Sequence, residues 1–545
     1  MRSGRRKKGW AWVAVNAGTS GAGRTFFLTT ALCALAACVP EPPASRDVTV
    51  FYASGADLQS INPLITVHPL AKSVQKHLLF LTLATYDSAL QPVPRLAAWR
   101  WSSDRTALTF QLRRDVLWHD GVPTTAQDVV WTLEMARAPE VAYPRARDLA
   151  AVVEVAAVDS FTVRVRFSRA QPTFPDVLTD LAILPVHRFR GVQPQQIRTA
   201  EFNAGPVGNG PFAFGEYRPN QRWVFQRFDG FPTALGQPAI ERFVVAVVDE
   251  PATKLAALTS GELDFAGISP AHAGFVQQDS RLRVIDYPFL FVYGLVWNLR
   301  RQPFDDPRVR RALTMAIDRR LIVDAYLYGF GTVADGPVAP EHPWYVPVPS
   351  IPHDPPAARR LLDAAGWVLG ADGVRERDGR RLSFDLSTVG SGEAALEQMM
   401  QAQLREIGVE VSIRQLELAT FLAVAQGPAR DFDALVTGIP GDLSLGYVAA
   451  MFEARDAGPL AYPGYRNAAF DAAVAEVRSA STEEELQDAW RTVQQILAED
   501  HPTTWLYHAR GLQGANRRVQ AAPPDLRGEL ATIAQWRITP TEARQ

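Results

Sequence analysis

His119 and Asp120 stand side by side and have the residue types of an acid–base dyad. Asp305 and Asp306 are adjacent carboxylates, and Gly267-Ile268-Ser269-Pro270-Ala271 is one residue short of the turn that presents a nucleophilic serine. Each has a plainer reading. Asp120-Gly121 makes a turn, and Asp306 before Pro307 is a helix cap. Ser269 closes a strand, with Ala271 where the last glycine of that turn belongs. Pro502 interrupts His501 and His508, so the pair does not sit on one helix face as metal ligands would. Gly208-Asn209-Gly210 lacks the third glycine of a dinucleotide fingerprint, and neither a P-loop nor an HExxH is present. The residues therefore predict no catalytic constellation, no enzyme activity, no cofactor and no metal held by protein side chains.

The two cysteines, Cys33 and Cys38, lie in the first forty residues, so the body is expected to carry no disulfide and no thiol chemistry. Arg2, Arg5, Arg6, Lys7 and Lys8 precede a short apolar run, Phe26 to Ala37. That run is too short to span a bilayer and reads as a signal peptide over 1–37. Leu35-Ala36-Ala37-Cys38 resembles the lipobox of bacterial lipoproteins, which implies an acylated Cys38 and a tether over 38–46. No later segment is apolar enough to cross a membrane. A formal net charge of −2 gives no support for a nucleic-acid partner. With 545 residues, the chain is too long for a single hydrophobic core.

The elements are arranged about the stretch 284–330. Phe289 through Trp297 is an apolar, aromatic strand. A polar loop leads to Asp306-Pro307, and Val309, Ala312, Leu313, Ala316 and Ile317 define the buried face of a helix stopped at Gly329. A strand leaving one core for the capped first helix of another is what the waist of a two-lobed protein requires. Before it, Val48–Tyr52 is a strand, Ser54–Leu64 a loop, and Ala71–Leu83 a helix. Thr125 and Asp128 open a helix with a capping box, and Phe161, Val163, Val165 and Phe167 alternate as a strand. The strand, helix and strand of 240–268 predict a crossover onto a parallel neighbour. Beyond the waist, Leu396, Met399, Met400, Leu404 and Ile407 share one helix face. Val409, Val411 and Ile413 alternate, Asp431–Ile439 is a strand, and Ser481 with Glu484 caps a last helix.

Several of these stretches, taken in order, resemble one family. Pro94 to Trp131 contains PRLAAWRWSSDRTALTFQLRRDVLWHDGVPTTAQDVVW. Gly208 to Tyr217, Gly261-Glu262-Leu263-Asp264, Asn298 to Arg319, Leu361 to Trp367 and Gln403 to Val411 follow. Together they are similar to the extracellular solute-binding proteins of family 5, the peptide- and nickel-binding subunits of ABC importers. The resemblance implies a mixed α/β, two-lobed fold of the type II periplasmic-binding-protein kind with an extra inserted domain. Domain I would comprise 47–66, 205–290 and 505–540, domain II 67–204, and domain III 291–504. It implies a monomer, in the periplasm or on the outer cell surface, that captures a peptide and hands it, unaltered, to a permease. Another solute, such as a metal chelate, heme or oligosaccharide, is the alternative, and an enzyme or receptor on the same scaffold a more distant one. Gly438 to Ser444 matches the loop from which an aspartate holds the peptide amine, here Asp442. Trp297 and Tyr293 would wall the pocket, and Asn62 and Ser54 would face the ligand from the early loop.

Overall fold

The computed structural model describes residues 45–539, apart from 59, 67, 391–393, 428 and 455–459. The expected signal peptide and the acylation of Cys38 fall outside the described residues. The waist strand is longer than its apolar core suggested. It covers Leu282–Trp297, 16 residues, against about 5–6 for a typical strand. Its length is supported by a returning partner, Thr503–Asn516, which pairs antiparallel from Leu282 with Asn516 to Val296 with Thr503. The register slips between Pro288 and Val292, so the ladder loosens at its middle.

One sheet is built outward from this pair in both directions. On one side Phe265–Gly267 pairs antiparallel with the returning strand and parallel with Thr49–Ser54. Thr49–Ser54 pairs in turn, parallel, with Arg242–Val247. All three therefore run in the direction of the waist strand, and their carboxyl ends lie level with about Ile285. On the other side Ala434–Pro440 is antiparallel to the waist strand, with Pro440 opposite Phe291. Ser383–Val389 and Glu410–Leu416 run parallel to it. Their carboxyl ends point back toward the first set. Two groups of strand ends thus face each other across residues 285–291 of the waist strand, about 20 Å if fully extended.

Each half fills its own interior. One apolar cluster joins Tyr52, Phe243 and Phe265 of the first half to the segment between residues 70 and 202. That segment carries a separate four-stranded antiparallel sheet and the helix Ala126–Arg137. Thr125 and Asp128 form its capping box. Two further clusters fill the second half, one around Trp297, Phe304 and Leu404, the other around Phe452, Trp490 and Trp505.

Four local readings change. The helix after Asp306 stops at Ala316, not at Gly329, because Asp318 starts a new turn by accepting from the Leu321 N–H at 2.9 Å. The expected helix 71–83 is a six-residue helix, Pro69–Val74, followed by a wide turn. The crossover Pro251–Ser260 does not join adjacent strands, since Thr49–Ser54 lies between Arg242–Val247 and Phe265–Gly267. The last capping pair is Thr482 with Glu485, one residue beyond the expected one.

Candidate functional site

Open α/β sheets bind ligands beyond the carboxyl ends of their strands, where backbone groups lose their ladder partners. Here two such edges converge on the loosened middle of the waist strand. Asp442 lies just past Pro440, on the far edge. Its Oδ1 accepts from the Ser444 N–H at 2.9 Å and from the Ser444 hydroxyl at 2.6 Å, so one oxygen shapes the turn. Oδ2 has no hydrogen-bond partner among the described residues. His342 fixes the loop from behind: its Nδ1 accepts from the Trp344 N–H at 3.0 Å, which leaves Nε2 to donate to the Asp442 carbonyl at 3.2 Å. Burial lowers the His342 pKa to about 4, against the pull of that hydrogen bond and of Asp442. The ring is therefore a neutral strut at neutral pH.

The charge of Asp442 also reaches the inserted segment. Arg145 lies 2.6 Å from Asp148, 2.7 Å from Asp176 and 3.2 Å from Asp180. Asp180 also holds Lys72 at 2.7 Å and Lys76 at 3.1 Å. Burial works against the Arg145 charge, but Asp176, Asp180, Asp148 and Asp442 keep its pKa above the ordinary value. Sequence reasoning passed over this network: Lys72 with Lys76, Arg145 with Asp148, and Asp176 with Asp180 are each spaced as on a helix face, but the three pairs lie about thirty or more residues apart and only the fold joins them.

The other expected site residues divide. Tyr293 is half-buried on the waist strand, with its ring stacked on Tyr507 of the returning strand at 4.8 Å and set against Phe291 at 5.5 Å. Trp297 lies deeper. It is 0% exposed, stacks on Phe304 at 4.9 Å, and donates from Nε1 to the Thr504 hydroxyl at 3.2 Å. It belongs to the core of the second half and not to a ligand wall. Asn62 is 1% exposed and works locally: Oδ1 accepts from the Leu64 N–H at 3.0 Å and Nδ2 donates to Asn203 at 2.8 Å. Ser54 is buried at the end of its strand, where its hydroxyl donates to the Ala56 carbonyl at 2.5 Å. In this conformation both hold the early loop in shape, and neither presents its side chain to a solute. The same loop is tied down by Asp57, which accepts from Tyr217 and from the Trp223 indole, each at 2.9 Å.

The catalytic look-alikes take structural places. His119 accepts from the Gly208 N–H at 3.1 Å and contacts the Gly210 carbonyl at 3.0 Å, so it clamps the turn 208–211. Asp120 pairs with His187 instead, at 2.8 Å. Ser269 meets His272 Nδ1 at 3.0 Å, and no carboxylate hydrogen-bonds that ring among the described residues. Asp306 caps its helix by accepting from the Arg308 N–H at 2.9 Å. No group of three metal-ligating side chains occurs among the described residues, and among them no helix is long and apolar enough to cross a membrane.

Comparison with known proteins agrees with this geometry. Residues 91–451 match the family model of the bacterial extracellular solute-binding proteins, family 5. An oligopeptide-binding protein of Bacillus subtilis, AppA, is 27% identical over 79% of this chain and 80% of its own. The nickel-binding periplasmic protein of Escherichia coli is 28% identical over 72% and 74%. The structure of Bacillus subtilis AppA with a nonapeptide superposes with a TM-score of 0.77 at 25% identity, covering 90% of this chain and 98% of that one. The chain belongs to the family 5 extracellular solute-binding proteins, and its mixed α/β fold is the two-lobed fold of that family.

Proposed function

We propose that this family 5 member is the ligand-capturing subunit of an ABC importer, which closes its lobes over a peptide and hands it unaltered to a membrane permease. The observation that carries the reading is the pair of opposed strand edges about a slipped register, with the Asp442 loop on one of them. On this reading the chain divides into domain I (47–66, 205–290 and 505–540), domain II (67–204) and domain III (291–504), with the waist strand and its returning partner as the hinge between I and III. The closed form gains population only by the contacts that a ligand adds to it. Asp442 supplies one of them: its free Oδ2 accepts from the amino terminus of the peptide. Acylation of Cys38 keeps the monomer at the membrane surface, where the permease waits.

Two measurements test this. Mass spectrometry of what co-purifies with the untagged mature protein is expected to show a peptide series. Titration of tri-alanine into D442N is expected to show about tenfold weaker binding, as loss of a charged hydrogen bond of about 1.5 kcal/mol would give. Unchanged affinity would remove Asp442 from the site. A second reading, capture of a metal chelate, draws on the similarity to the nickel-binding relative. Co-purification of a nickel complex in place of peptides would favour it.

A further inference from the structure

At the far-lobe edge, Glu397 stands in the first turn of the helix Ala395–Glu406, and only 7% of it is exposed. Its Oε1 accepts from the Thr388 hydroxyl at 2.7 Å, at the carboxyl end of the strand Ser383–Val389. Among the described residues no Lys, Arg or His lies within ion-pair distance of it. Removing a carboxylate from water costs several kcal/mol unless a cation or several donors compensate it. One hydroxyl and the partial positive charge of a helix start, ~0.3–1 kcal/mol, fall short of that.

Three tyrosines lie close to the helix that carries this carboxylate, two of them in the apolar cluster that holds Leu396 and Met400 of that helix. Tyr507 and Tyr293 are stacked, and Tyr326 comes from the turn 322–326 that packs on the same helix. Burial first, and then the Glu397 charge, raise all three above their ordinary range, with neighbouring phenols adding to the shift of Tyr293 and Tyr507. No hydroxyl of the three forms a hydrogen bond among the described residues, although Tyr507 is only 3% exposed. Aromatic rings continue along the waist strand, with Phe289 and Phe291 at 5.8 Å and Phe291 and Tyr293 at 5.5 Å. Phe289 and Tyr326 are each 37% exposed, so the row opens toward solvent at the edge that faces the first lobe.

A largely buried carboxylate with no counter-ion among the described residues, close to tyrosines whose hydroxyls form no hydrogen bond among them, suits an organic cation. We propose that Glu397, Tyr293, Tyr326 and Tyr507 form a subsite for an ammonium or guanidinium group of the captured solute, and that the chain selects solutes carrying such a group. This rests on the capture of a solute between the lobes. It makes the site distinct from Asp442, which lies past the end of a different strand.

Calorimetric titration of the full-length mature protein tests it with three probes: Ala-Lys-Ala, its uncharged isostere Ala-norleucine-Ala, and cadaverine. Wild type is expected to prefer the lysine peptide at least tenfold and to bind cadaverine. E397Q is expected to lose both properties while keeping its affinity for the norleucine peptide within twofold. Equal affinity for the two peptides in wild type, or a preference that survives in E397Q, overturns the subsite and leaves peptide capture standing. Cadaverine binding that depends on Glu397, with no peptide bound, supports the subsite and overturns peptide capture. Binding of none of the three overturns both. If E397Q fails to fold, Tyr326→Ala at the exposed rim reads the same preference: a threefold or greater drop supports the subsite, and no change overturns it.

Discussion

Asp264 shows what the residues matching the family patterns do. It is fully buried, accepts from the Phe51 N–H at 2.8 Å, and takes both Nε and Nη2 of Arg518 at 2.6 and 2.5 Å. It thereby fastens the first strand to the end of the chain. Asn298 donates to the Arg430 and Phe432 carbonyls at 3.0 and 2.8 Å. Arg310 donates to the Asp500 and His501 carbonyls at 2.6 and 3.0 Å, satisfying a helix end. These matched residues hold backbone, whereas Glu397, Tyr326 and Tyr507 lie at positions that no pattern marked. Arg518→Met leaves Asp264 buried without its bidentate partner and is expected to cost about 3–5 kcal/mol in urea unfolding. A loss below about 1 kcal/mol would show that Arg46, at 3.4 Å, can replace Arg518. His342→Ala removes the strut under the Asp442 loop and is expected to weaken tri-alanine binding several-fold, beside a stability loss of about 1–3 kcal/mol from the groups it leaves unpaired. Equal affinity would make the strut dispensable.

At the scale of elements, the helix Glu483–Asp500 packs Ala489, Trp490, Val493 and Leu497 inward and relies on Thr482 and Glu485 for its start. Thr482→Ala is expected to cost about 1 kcal/mol in urea unfolding. The same change at Ser481, which the spacing to Glu484 first suggested, is expected to cost less than half of that. Equal costs would contradict the cap. The one-residue error has a simple origin: Ser481-Thr482 precedes Glu483-Glu484-Glu485, so the spacing fits twice, and only the turn of the backbone selects one pair. The helix from Asp306 is shorter than its pattern for a similar reason. Its apolar rhythm continues past Ile317, but Ile317 adopts an extended conformation as the C-cap, and Asp318 takes its N–H to the Gln403 side chain at 3.0 Å. That contact comes from a distant helix and leaves no trace in the local pattern.

For the whole molecule, the waist decides behaviour. Arg510 on the returning strand bonds Asp286 on the waist strand at 2.5 Å and Glu341 of the second half at 3.4 Å. The three are partly exposed, so the bridge is worth about 1 kcal/mol or less. Arg510→Ala is expected to raise the ligand-free radius of gyration by solution scattering without changing that of the peptide-bound form. Identical ligand-free curves would rule the bridge out as a latch. Stability depends on pH through the histidines. His119, His342, His501 and His508 are lowered by burial to about 4, and His77 to about 3. The unfolded chain, with its histidines near pH 6.5, binds protons that the folded chain refuses, so stability is full above about pH 6.5 and falls as pH drops toward 4. Urea midpoints at pH 7.5, 6.0 and 5.0 are expected to decrease in that order. A flat profile would refute the assignment.

What the chain order and residue types determined alone was the waist strand, most strands and helices, and the family. These depend on local periodicity, on caps and breakers, and on short patterns that survive because they hold backbone together. Tertiary structure decided the rest. It placed Trp297 in a core, turned Asn62 and Ser54 into loop braces, and set the two strand edges face to face. It also joined Thr388 to Glu397 and Tyr293 to Tyr507 from four separate elements, and packed the turn of Tyr326 on the helix of Glu397. A site of that kind is assembled by sheet order and register, which join residues more than a hundred positions apart, and no spacing along the chain records it.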